Sequence, residues 1–274
     1  MAVVLVTGGS SGIGLATVRR LAAAGHRVFA ASRHPDRATL PDGTTPLVLD
    51  VSAPDAGAAV GTVVGTAGRL DVLVNNAGAV SLAPLEETDD DEARRILEVN
   101  LLGPMRLARA AVPIMRDQGG GQIINVTSMN DVLPAPFAGW YSASKAALAS
   151  ASAVLDAEVH AFGISVTVVA PGLFRTAMAD QLDSYTVPAE SRYHHALAGM
   201  LRAHQARVPA AADPDEVAAA IESCIGADRP PARVVVGRDA ETMAKLVHDS
   251  PADELAEQMR SFVASLEGPD STRT

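Results

Sequence analysis

Short apolar runs rich in β-branched residues alternate along this chain with longer segments of helical spacing, and that alternation restricts the fold more than any other feature. The runs are Val3 to Thr7, Arg27 to Ala31, Thr45 to Leu49, Val72 to Val74, Gln122 to Thr127, Ser165 to Ala170 and Arg233 to Val236. Stretches such as VVLV and VTVVA carry no polar alternation, so strands built from them need cover on both faces. Helices on each side of a parallel sheet provide it, and the chain reads as α/β, a doubly wound seven-stranded parallel sheet. Helical spacing predicts helices over Gly12 to Ala24, Pro54 to Ala67, the late 80s to Met115 with a break near Asn100 to Pro104, Ala138 to Phe162, the 190s to Arg207, and Asp213 to Ile225.

The 274 residues are 48% hydrophobic, enough for one large core, and no repeat or low-complexity linker divides them. A single domain spanning 1–274 is expected. Two segments stand outside the alternation. Residues 172–210 follow the sixth run and carry Leu173, Phe174, Met178, Leu182, Tyr185 and Tyr193, which suits a cover closing over a site at a strand's carboxyl end. Residues 238–274 read as one or two amphipathic helices followed by a polar tail, 268–274, expected to be disordered. The net charge of −10 offers no footprint for nucleic acid or an anionic membrane surface. No apolar stretch approaches the roughly 20 residues of a membrane span. One cysteine, Cys224, excludes an internal disulfide, and with no signal-like N-terminus a cytoplasmic protein is expected.

Directly after the first run stands Thr7-Gly8-Gly9-Ser10-Ser11-Gly12-Ile13-Gly14, opening a helix. A strand that turns sharply into a helix presents free N–H groups and the positive end of the helix dipole, and missing side chains let a pyrophosphate approach them. Gly8, Ser10, Ser11, Gly12, Ile13 and Gly14 are therefore candidate cofactor residues. The spacing is neither G-x-G-x-x-G nor a phosphate-binding loop ending in Lys-Ser/Thr. About 20 residues on, at the end of the second run, NAD sites place an acid for the ribose 2′-hydroxyl and NADP sites an arginine. Here Ser32-Arg33 offers a hydroxyl and a fixed positive charge, which favours NADP(H) over NAD(H). Asp36 lies beyond His34-Pro35, too late in register for the acid's role.

Tyr141 and Lys145 lie four apart in a helical pattern and share one face. A phenol of ordinary pKa near 10 is a poor acid or base at neutral pH. A neighbouring ammonium is expected to lower it, as a general acid/base for a ketone or hydroxyl requires. The fifth run ends in Asn125-Val126-Thr127-Ser128 and the fourth in Asn75-Asn76-Ala77-Gly78, both at carboxyl ends of sheet strands, where open α/β sheets bind ligands. Ser128 could donate there to a carbonyl oxygen as charge develops on it.

Taken in order, these motifs resemble the short-chain dehydrogenase/reductase family. The chain shares its TGxxxGxG turn at Thr7 to Gly14, its NNAG at Asn75 to Gly78, its helix asparagine at Asn100, its serine at Ser128, its YxxxK at Tyr141 and Lys145, and its PG turn at Pro171-Gly172. The likeness covers roughly residues 3–237 and implies a Rossmann-type fold. It also implies a tetrad: Tyr141 as proton donor or acceptor, Ser128 holding the substrate oxygen, Lys145 binding the nicotinamide ribose, and Asn100 holding a water that relays protons to the lysine. Further cofactor contacts implied are Asp50 with Val51 at the adenine, Asn76, Ala77 and Gly78 beside the ribose, and Thr176 with Pro171 and Gly172 at the nicotinamide carboxamide. Dimers or tetramers are implied by the family only.

The expected activity is an NADP(H)-dependent oxidoreductase interconverting a ketone and a secondary alcohol, leaning toward reduction. The alternatives are an epimerase or dehydratase that recycles its cofactor, and a nucleotide-sensing or scaffolding protein without turnover. Met129, Asn130, Phe137 and Trp140 are candidates for contact with a fairly large apolar substrate, steroid- or polyketide-like. His194, His195 and His204 lack an acid or thiol at ligand spacing, so no metal is expected. Glu86, Glu87, Asp89, Asp90, Asp91 and Glu92 read as a solvated face at a helix start.

Overall fold

The computed structural model describes residues 1–176, 182, 185–227 and 229–266. Strands β1 (Val3–Thr7), β2 (Arg27–Ser32), β3 (Thr45–Val48), β4 (Val72–Asn75), β5 (Gly121–Val126), β6 (Ile164–Pro171) and β7 (Arg233–Val236) form one sheet. Its order is β3-β2-β1-β4-β5-β6-β7, and every neighbouring pair is parallel. Each expected strand is present within a residue or so at either end. The described helices are α1 (Gly12–Ala23), α2 (Ala58–Ala67), α3 (Asp90–Leu97), α4 (Gly103–Asp117), α5 (Gly139–Val159), α6 (His194–Arg207), α7 (Pro214–Cys224), α8 (Arg238–Asp249) and α9 (Ala252–Leu266).

Successive side chains of a strand point to opposite faces, so the continuous apolar runs feed two cores at once. From β1, Val3 and Leu5 join Leu73, Ile123, Val60, Leu107 and Met115 under α2 and α4, whereas Val4 and Val6 join Val74, Ile124, Val18, Leu21 and Ile221 under α1 and α7. The expectation of cover on both faces fails at β3. There Thr45 and Leu47 are partly buried while Pro46 and Val48 are exposed, Val48 at 74%. The connection from β2 to β3 contains only a single 3₁₀ turn, Pro35–Arg37, and supplies no helix to cover that face.

Two further boundaries shift. The second helix starts at Ala58 rather than Pro54, because residues 51–57 form a succession of turns. The break anticipated near Asn100 is a π-helical turn, Glu98–Leu102, joining α3 to α4 without ending the helix. One extra residue is accommodated there, and Pro104, four beyond Asn100, has no N–H to return to the Asn100 carbonyl. The C-terminal segment is helical, as α8 and α9, and the expectation for 268–274 falls outside the described residues.

Between β4, β5 and α5 runs a buried chain of amides and a hydroxyl. Asn75 Nδ2 donates to Asn125 Oδ1 at 2.9 Å, and Asn125 Nδ2 donates to Ser152 Oγ at 2.8 Å. All three residues are buried, and α5 is thereby fixed in height against the strands that carry the crevice. Asn125→Ala should remove both bonds, leaving Asn75 Nδ2 only a long bond to the Pro104 carbonyl and Ser152 only its bond to the Leu148 carbonyl, and lower unfolding stability by about 1 to 3 kcal/mol, read from urea denaturation.

Candidate active site

The strand order reverses direction between β1 and β4, and the crevice opens at their carboxyl ends. The Thr7 hydroxyl accepts from the backbone N–H groups of Asn76 and Ala77, each at 3.0 Å, and Asn76 Nδ2 donates to the Thr7 carbonyl at 2.9 Å. Asn76 thus stitches the end of β4 to the glycine loop. Gly14 must lack a side chain, since a Cβ there would stand 2.1 Å from the Gly8 carbonyl oxygen, and Gly8 itself has φ +67°. Helix α1 opens with no side-chain cap from Ser11, which leaves its first N–H groups directed at the crevice.

These features fit a dinucleotide. A further sign lies at the end of β2, where the Ser32 hydroxyl oxygen is buried without a hydrogen-bond partner and Arg33 is exposed beside it. Asp50, at the end of β3, accepts from the backbone N–H and hydroxyl of Ser52 at 2.9 and 2.6 Å. Those bonds, with the charge of Arg33, hold its carboxyl below the usual range. Val51 is buried in the core under α2 and α4. Thr176 packs against the glycine loop, its Cβ 3.1 Å from where a Cβ on Gly12 would lie.

At the other side of the crevice, Ser128 follows β5 with an extended backbone and begins a tight 3₁₀ turn, Met129–Asp131. Its oxygen accepts from the Asn130 N–H at 3.2 Å and interacts with Tyr141, the third residue of α5. The Lys145 ammonium donates to the Val126 carbonyl at 2.9 Å and lies 5.9 Å from the centre of the Tyr141 ring. Asn100, fully buried in the π-turn, accepts from Ala79 N–H and donates to the Ala79 carbonyl, both at 2.8 Å, and to Ser144 Oγ at 2.9 Å. Ser144 stands between the tyrosine and the lysine, so Asn100 braces that stretch of α5 against the loop after β4.

The sequence led us to expect a tyrosine acidified by its lysine, and the structure corrects this. Burial holds the Tyr141 hydroxyl above its ordinary value, the Ser128 bond opposes that shift, and the Asp131 charge adds to it. Burial also draws the Lys145 ammonium down to about 8, with Asp131 acting in the other direction.

Beyond Tyr141 stands an apolar wall. Leu82, Phe137, Leu197 and Leu201 form a buried cluster with Leu266 of α9, and Tyr141, Tyr185, Tyr193 and Met200 pack against it. Phe137 holds φ +62°, and its ring meets Tyr193 edge-on at 6.1 Å. Glu86 and Glu87 are exposed, as expected of a solvated face, and also bind residues of this wall: Tyr193 donates to Glu86 and Ser191 to Glu87, at 2.7 and 2.6 Å. Asp89 does cap α3, accepting from Glu92 N–H. Two other expectations change. Met129 is buried with Ala170 and Ala240, away from this wall, and Phe174 belongs to the core beneath α1 and α7. Met178 lies outside the described residues.

Gly172 and Leu173, following Pro171, are held by Asp239 of α8, a residue that no local sequence pattern singles out. Leu173 N–H donates to its carboxylate at 2.9 Å, and no Cβ fits at Gly172, which would meet the same carboxylate at 2.0 Å. Among the described residues no group of three His, Cys, Asp or Glu side chains is placed to hold a metal, and no helix is long and apolar enough to cross a membrane.

Lys145 has a testable consequence for stability. Its folded value lies below its value in the unfolded chain, so the folded state is penalised at all pH values below about 8, and the penalty is relieved as pH rises toward 10.5. Lys145→Met should raise unfolding stability at pH 7 by up to about 3 kcal/mol, a gain that shrinks between pH 8 and 10 in urea titrations.

The short chain dehydrogenase family profile matches residues 2–186. A protein of Bacteroides thetaiotaomicron named 3-ketodihydrosphingosine reductase is 33% identical over 237 residues, 86% of this chain and 87% of that one. A short-chain dehydrogenase from Streptomyces avermitilis superposes with a TM-score of 0.80 at 35% identity, over 95% of this chain and 96% of that one. One from Burkholderia cenocepacia, in complex with NADP, does so with 0.73 at 26% identity, over 94% and 96%. With the fold, the strand order and the crevice agreeing, this chain is a member of the short-chain dehydrogenase/reductase family of oxidoreductases.

Proposed function

We propose that the protein is an NADP(H)-dependent carbonyl reductase acting on a ketone carried by a fairly large apolar molecule. The observation that carries the reading is the meeting of Tyr141 and Ser128 at the crevice, with buried Lys145 behind them and an apolar wall beside them. The nicotinamide, when bound, supplies the hydride. Ser128 holds the substrate oxygen and donates to it as negative charge develops. Tyr141 gives that oxygen its proton. Its raised value keeps the phenol protonated through neutral pH, which suits the reductive direction.

Lys145, buried behind Tyr141, would hold the nicotinamide ribose and keep a positive charge beside the phenol. Both amide hydrogens of Asn100 are taken by protein acceptors, so a relay water would sit on its main-chain carbonyl, to which Pro104 cannot donate. The apolar wall of Leu82, Phe137, Leu197, Tyr185 and Tyr193 favours an aliphatic or polycyclic substrate body. The relative named for reduction of 3-ketodihydrosphingosine supports the same class.

Ser32 and Arg33 are read as the 2′-phosphate site, and Gly8 to Gly14 as the pyrophosphate cradle. Asp36 sits in the exposed 3₁₀ turn, past the strand end where a ribose acid would stand.

Tyr141→Phe should abolish ketone reduction while leaving NADPH affinity within a few-fold, measured by turnover and by fluorescence titration. Turnover near wild type would remove the proton-transfer assignment. Arg33→Ala should weaken NADPH by about 1.5 to 3 kcal/mol, roughly ten- to a hundred-fold, and NADH hardly at all. Equal affinities for the two nucleotides in the wild-type protein would show that Arg33 does not face the ribose.

A further inference from the structure

Asp131 ends the turn that Ser128 begins, and its N–H returns to the Ser128 carbonyl at 3.0 Å. Its side chain has no exposed surface. Arg233, opening β7, grips both carboxylate oxygens, Nη1 to Oδ2 at 3.0 Å and Nη2 to Oδ1 at 2.7 Å. A buried ion pair gives little net stability over an apolar pair of the same volume, so stability alone does not account for one at this place. Among the described residues no carboxylate lies within ion-pair distance of the Lys145 ammonium, yet that ammonium is buried. The turn that carries Asp131 packs against α5, and the Asp131 charge acts on both the Lys145 ammonium and Tyr141.

We propose that Asp131, clamped by Arg233 beneath the Ser128 turn, is a positioning residue that keeps the charge on the Lys145 ammonium and the proton on the Tyr141 hydroxyl. This rests on the proton-transfer reading of Tyr141 and extends it to the group that sets its working pH. A fixed negative charge favours the protonated form of every neighbour, cationic or neutral. At Lys145 that effect opposes burial, and at Tyr141 it reinforces burial. Arg233 is one-third exposed and so screens the carboxylate only in part. The pair is thereby held as ammonium and phenol, the state that delivers a proton to a carbonyl oxygen.

Other charges near α5 are already engaged or absent. Glu98 of the π-turn pairs with Arg106, and Arg94 and Arg95 of α3 pair with Asp90, Asp91 and Glu92. Strand β6 has no charged residue, and α8 meets the turn through Ala240, Met243 and Ala244. Asp239 is turned to Leu173 and Arg207.

The chain contains two lysines, Lys145 and Lys245, so lysine labelled with carbon-13 at Cε gives two resonances, assigned with Lys245→Arg. The titration is followed in the protein without nucleotide. Asp131→Asn should lower the Lys145 midpoint from about 8 by about one pH unit, and Arg233→Met, which leaves the carboxylate unbalanced, should raise it. The alkaline limb of kcat/KM for ketone reduction should move in the same directions, whereas a merely structural role would lower rates without moving either midpoint. A Lys145 midpoint unchanged in both variants, or displaced the same way in both, would overturn the proposal. Should Asp131→Asn fail to fold, Arg233→Met decides alone: a rise supports the proposal and no change refutes it. Turnover by Tyr141→Phe would defeat the reading of the tyrosine separately, with the lysine titration still deciding whether Asp131 controls the ammonium.

Discussion

The crevice exists because two neighbouring strands send their crossovers in opposite directions, and strands that part in this way must be tied at their ends. The Thr7 hydroxyl does this, taking the N–H groups of Asn76 and Ala77 at once, while Asn76 returns a bond to the Thr7 carbonyl. Everything in the crevice is measured from that tie. It fixes Gly8 against the end of β4, which leaves no room for side chains at Gly8 and Gly14 and so keeps the backbone of the loop open to a ligand. It also fixes the loop through Ala79, on which Asn100 rests, and through Asn100 it reaches the helix that carries Tyr141 and Lys145.

The chemistry of the site follows from burying polar groups on that frame. An ammonium in a protein interior loses its hydration, and here it recovers one carbonyl bond, to Val126, which is less than water supplies. A phenol beside it is disfavoured as phenolate for the same reason. The two effects drive lysine and tyrosine apart: one is made a weaker base, the other a weaker acid. In the proposed reaction such a pair would resist ionising the tyrosine until a substrate oxygen with developing charge, held by Ser128, met the phenol as its base.

Much of this was legible from residue order. The seven strands came from continuous apolar runs, because burial on both faces leaves a pattern that exposed strands cannot share. The glycine turn, NNAG, Ser128 and the Tyr141/Lys145 pair were legible because each occupies a strand's carboxyl end or a shared helix face. What escaped depends on contacts between distant segments. Val48 belongs to an apolar run, yet the short 3₁₀ connection before β3 leaves it bare. Glu86 and Glu87 resemble ordinary surface acids until Ser191 and Tyr193 meet them from a segment about a hundred residues away. Asp131 and Arg233 are likewise separated by about a hundred residues, and no local pattern marks either. The lysine was expected to acidify the tyrosine because spacing shows proximity and does not show burial.

The π-turn shows how a local irregularity can serve the whole site. In a regular helix from Asp90 to Asp117 the partner of the Asn100 carbonyl would be residue 104, and Pro104 has no N–H to give it. The π-turn accommodates one extra residue at this point. The Asn100 side chain bridges the loop after β4 to Ser144. A helix-weakening proline and a buried amide, each unfavourable taken singly, together tie the loop after β4 to the helix that carries Tyr141 and Lys145.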